Sequence, residues 1–87
     1  MVFPQIGLNS SGARFLAESY TNAADAVEMA LAHLAHARPN GRDYPDEATV
    51  RAALADHHQR VALLIKVLDE LDVLRLHCIK ATRERTG

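Results

Sequence analysis

The chain has no tryptophan, only two tyrosines and two phenylalanines, and a single cysteine, Cys78. One cysteine excludes an intramolecular disulfide and fits a reducing compartment. Charge of one sign is also lacking: the net charge is −1, so nothing draws the chain toward nucleic acid or an anionic membrane. The longest uninterrupted apolar run is Val61 to Ile65, far short of the roughly 20 residues of a membrane span. The opening MVFPQIGLNS lacks the basic region and apolar run of a secretory leader. These absences predict a cytoplasmic protein without a membrane segment. Glycine and proline are missing altogether between Asp46 and Arg85, so nothing in that stretch breaks a helix.

What is present is apolar and helical. The composition is 48% hydrophobic, which excludes disorder, and 24% charged, which keeps the chain in solution. Eighty-seven residues make one domain, and a chain this short buries only about 60–65% of its unfolded surface. From Val61 to Ile79, thirteen of nineteen residues are apolar. An ordinary surface helix carries one apolar stripe, so this segment needs more than one partner face.

The predicted organisation is an arm over 1–10, a helix over 11–37, a turn over 38–44 and a helix over 45–85. The arm carries Val2, Phe3, Ile6 and Leu8, too apolar for a free tail, while Pro4 and Gly7 oppose a helix there. Ser10 or Ser11 suits the cap of the first helix. Its apolar seam reads Leu16, Tyr20, Ala23, Val27, Ala30, Leu34, Ala37, and a second line through Ala17, Ala24 and Leu31 widens it. Nine of the twenty-five residues from Ala13 to Ala37 are alanine, the best helix former and one that admits close approach of a neighbour. Pro39 stops this helix and Asn40-Gly41 accepts the positive φ of a reversal. Asp43 or Asp46 caps the second helix, with Pro45 in its first turn. Its seam runs Val50, Leu54, His57, Val61, Leu64, Leu68, Leu71, then Leu74 and Cys78.

If both helices leave the turn antiparallel, the longer one overshoots from about Glu70 onward, and the arm or a second chain must cover that end. Facing positions then have residue numbers adding to about 82, which puts His57 opposite Asp25. These two are read as a structural polar pair that fixes register, since neither serine nor cysteine lies within reach to make His57 catalytic.

Other constellations carry less. His33 and His36 share a face but supply only two ligands where zinc needs three or four, and the adjacent His57 and His58 diverge. A histidine near a helix C-terminus is ordinary dipole complement. Arg75 one turn before Cys78 favours a thiolate, but the alignment of Cys78 with Leu71 and Leu74 reads as a packed thiol. Lys80, Arg83 and Arg85 are interrupted by Glu84 and have no interleaved aromatic, so a nucleic-acid footprint is not favoured. Two long helices are also unlike the short, steeply crossed pair that reads DNA. At the turn, Tyr44 with Arg38 and Arg42 forms a candidate contact tip, against the plainer reading that Tyr44 folds back onto the second helix.

The run Ala37-Arg38-Pro39-Asn40-Gly41-Arg42-Asp43-Tyr44-Pro45, followed by His58, Arg60, Leu64, Val67, Glu70 and Leu71, resembles small bacterial or prophage-encoded helical proteins of unassigned function. The resemblance covers about 35 residues and implies no active site. It adds one specific variant, a phage-derived inhibitor or modulator of a host protein complex.

The sequence therefore predicts an all-α, two-helix antiparallel hairpin with an ordered arm, dimerising into a four-helix arrangement. The function expected is a non-enzymatic protein–protein interaction module, without cofactor or metal, binding itself and another protein through a helix face or the turn tip. Leu63, Val73 and Leu76, off the seam that faces the first helix, are the expected interface, together with Ile79, Tyr44 and Arg42. The competing class is a small metal-binding or nucleic-acid-binding helical protein.

Overall fold

A computed structural model describes residues 1–5 and 10–86, and side chains over 1–5 and 12–83. Two helices, α1 over Ser10–His36 and α2 over Glu47–Thr86, pack on each other. No strand occurs among the described residues. The hairpin architecture follows the apolar spacing, with ends one or two residues from those expected. Ile6 and Leu8 of the arm, and the capping of α1, lie outside the described residues.

The connection differs from expectation in how it reverses. No described residue has positive φ. Instead α1 closes in a tight turn, with Ala37 N–H donating to the Leu34 carbonyl at 3.0 Å. A short 3₁₀ helix, Gly41–Asp43, then spans the gap. Asn40 caps it, its side-chain oxygen accepting from Arg42 N–H at 3.2 Å. Asp46 caps α2: its Oδ1 accepts from both the backbone N–H and the hydroxyl of Thr49, each at 2.7 Å. These bonds hold the Asp46 carboxyl below the usual carboxylate range, the backbone bond contributing most. Pro45 precedes the cap and does not sit in the first turn.

A connection this long changes the register. Leu34 and His57 line the same cleft, whereas the turn-centred count pairs His57 with Asp25, nine residues earlier. Ala13 lies twenty-one residues before Leu34, and Cys78 lies twenty-one after His57. Both are fully buried, and the arm just before α1 meets His77, in agreement with the same offset at the far end. The expected overhang from Glu70 is thereby shortened: α1 reaches almost to the end of α2, and Leu71, Leu74 and Ile79 are half-buried. It is the first turns of α2 that run past α1, and Pro39 and Tyr44 of the connection stand beside Ala53 there, lining a cleft.

The arm returns to the opposite end. The Pro4 carbonyl accepts from His77 Nε2 at 3.1 Å, and the Phe3 ring lies 5.0 Å from the His77 ring. The result is a slab 61 × 21 × 14 Å, as long as α2, two helices wide and one helix thick. Its core is correspondingly thin: Ala13, Ala24 and Cys78 are the buried apolar residues among those described, joined by His57.

Candidate interaction surface and the cleft at the hairpin tip

A one-layer hairpin cannot shelter all of its large apolar side chains. Phe15 and Met29 on α1, and Leu63, Ile65, Val67, Val73 and Leu76 on α2, remain exposed. Of the expected interface, Leu63, Val73 and Leu76 are exposed and Ile79 is half-buried. They do not form one patch. At about 100° per residue, Leu63 and Leu76 point about 140° apart around α2, with Val73 on the edge between them. The spacing pattern found the residues that α1 leaves uncovered but not the sides on which they lie. Ile65 and Val67 are exposed as well and were not among the expected interface residues.

At the tip, Leu34, Ala37, Pro39, Tyr44, Ala53, Asp56, His57 and Arg60 line an open cleft of about 490 Å³. Tyr44 is half-buried there, folded back onto α2, while Arg42 stays exposed on the 3₁₀ helix. His57 forms the floor at 7% exposure. Asp25 is exposed, and no hydrogen bond joins it to His57. The polar pair read from the turn-centred count is thus not formed, because the shifted register puts the end of α1 over His57. Asp56 and Arg60 reach the cleft without an ion pair within 4.0 Å, whereas Arg75 pairs with Asp72 at 3.6 Å.

His57→Leu is therefore expected to keep the fold and raise the melting temperature slightly, since leucine adds apolar surface at a position only 7% exposed and no hydrogen bond within the chain is lost. Asp25→Ala should change stability by less than about 0.5 kcal/mol, as surface substitutions do. Thermal denaturation of both variants checks this. A large loss in Asp25→Ala would restore the pairing.

The other chemistry-bearing groups do not converge. No set of three or more His, Cys, Asp or Glu side chains able to hold a metal occurs among the described residues. The rings of His57 and His58 are tilted by 56° with centroids 6.1 Å apart, and His58 is exposed. The Cys78 thiol is buried, which pushes its pKa up, and the neighbouring Arg75 is engaged by Asp72. No described helix is long and apolar enough to cross a membrane. Comparison with family models, with curated proteins and with solved structures returns no match.

Proposed function

We propose that this chain is a non-enzymatic protein–protein interaction module whose first partner is a second copy of itself, the two slabs stacking into four helices. One observation carries the reading. The chain exposes 6406 Å², whereas a compact folded monomer of this mass exposes about 5,100 Å². The excess of about 1,300 Å² exceeds the roughly 800 Å² that each partner contributes to a standard interface. The shape agrees: the radius of gyration is 18.6 Å, against about 12 Å for a compact chain of this length.

Three buried small apolar residues give little cohesion to a single hairpin, so association and stability are coupled. The wild-type protein is expected to sediment as a dimer at tens of micromolar and to melt at a temperature that rises with concentration. A monomer in that range, with a concentration-independent melt, would refute the reading.

A further inference from the structure

A slab has two broad sides, and the cleft shows which stripes share one of them. Ala37, Ala53 and Arg60 all line it. Steps of seven residues drift by only about 20° around a helix. Such steps lead back from Ala37 to Ala30, Ala23 and Leu16 on α1, and onward from Arg60 to Val67 and Leu74 on α2. Asp56, also in the cleft, leads in the same way to Leu63.

On this side α1 shows Leu16, Ser19, Ala23, Ala26 and Ala30, with no formal charge and almost no bulk. It is a shallow trough. Beside it α2 raises a ridge of Leu63, 64% exposed, and Val67, 42% exposed. The ionisable groups of this side stand at its margins: Asp56 and Arg60 at the tip, His33, Glu70 and His77 along the outer lines. The opposite side presents Ile65 and Leu76, both exposed, beside the half-buried Val61 and Leu68, but also Arg14, Glu28 and the Arg75–Asp72 ion pair. Covering that side would take those charges out of water, at a cost that packing must offset.

Resting on the dimeric reading above, we infer that the second copy seats on the cleft side, about a two-fold axis parallel to the helices. That axis lays the ridge of each chain in the trough of the other. With Leu34 and Ala37 lining the cleft across from Ala53 to Arg60, position 67 comes within about a turn of Ala24 and position 63 within about a turn of Glu28. Val67 of one chain then comes down over Ala23 and Ala26 of its mate, and Leu63 over Ala26 and Ala30. Large side chains meet small ones twice, and the interface is self-complementary, as a two-fold requires.

The test uses charge insertions at residues exposed in the single hairpin. Leu63→Glu and Ala26→Glu should each weaken dimerisation by at least roughly 100-fold in sedimentation equilibrium, because each buries an unpaired carboxylate. Ile65→Glu, on the opposite side and 45% exposed, should leave it within about 3-fold. Should a glutamate variant unfold, cysteine pairs decide: Ala26→Cys with Leu63→Cys should oxidise to a covalent dimer, and Glu28→Cys with Ile65→Cys should not. A dimer broken by Ile65→Glu, or cross-linked only through positions 28 and 65, overturns the choice of side while leaving the dimer intact. A wild-type monomer removes the dimer itself.

Discussion

Replacing Ala24 by leucine is expected to lower the melting temperature by roughly 4–24 °C. Ala24 is 5% exposed and sits with Ala13 on the α1 face that meets α2. Helix axes pack about 8–10 Å apart, and the short distances need small side chains at the contact. A leucine there forces the helices apart or drives a side chain off its rotamer, at about 1–3 kcal/mol. In a small domain each kcal/mol corresponds to about 4–8 °C. Ala32→Leu makes the same change at an exposed position of α1 and should be close to neutral. Circular-dichroism melts of the two variants, compared at one concentration, read the difference. Equal melts would mean that α1 and α2 do not meet closely at Ala24.

Cys78 should react with iodoacetamide at least about 100-fold more slowly in native buffer than in denaturant, equivalent to an opening free energy of about 2.7 kcal/mol. Two features of the site act together. The side chain is fully buried level with Ala13, and burial raises the thiol pKa, so little of the reactive thiolate is present. The arm closes the same end through Phe3 and the Pro4–His77 hydrogen bond. Phe3→Ala should therefore speed labelling without reaching the denatured rate. Native labelling as fast as in denaturant would show that this end of the hairpin is open.

How much of this was readable in advance depends on the range of the interaction. Both helices and their stops were legible, because Pro39, the Asp46 cap and the Gly- and Pro-free stretch to Arg85 act within a turn or two of themselves. The thiol in line with Leu71 and Leu74 was legible for the same reason, and it is buried. The Asp25–His57 pairing was not. It depended on where the connection lets α2 start, and a cap at Asn40, a 3₁₀ turn and a second cap at Asp46 set that jointly. A shift of nine residues along α2, about 13 Å at 1.5 Å per residue, exchanges the partner of every seam residue. The exposed Ile65 escaped notice because an unbroken run of apolar residues has no period from which to assign a side.

The same register orders the chain in time. Between the helices, the sequence gap that a contact closes widens steadily with distance from the tip: twenty-three residues separate Leu34 from His57, and sixty-five separate Ala13 from Cys78. The latch between Pro4 and His77 spans seventy-three. Closing a loop costs more entropy as it lengthens, although slowly, and each contact made near the tip shortens the loop left for the next. Folding should then zip from the 3₁₀ turn outward, with the arm arriving last. In reverse, the arm is the first part to let go, so fraying starts next to Cys78 and reaches His57 only when the whole hairpin opens.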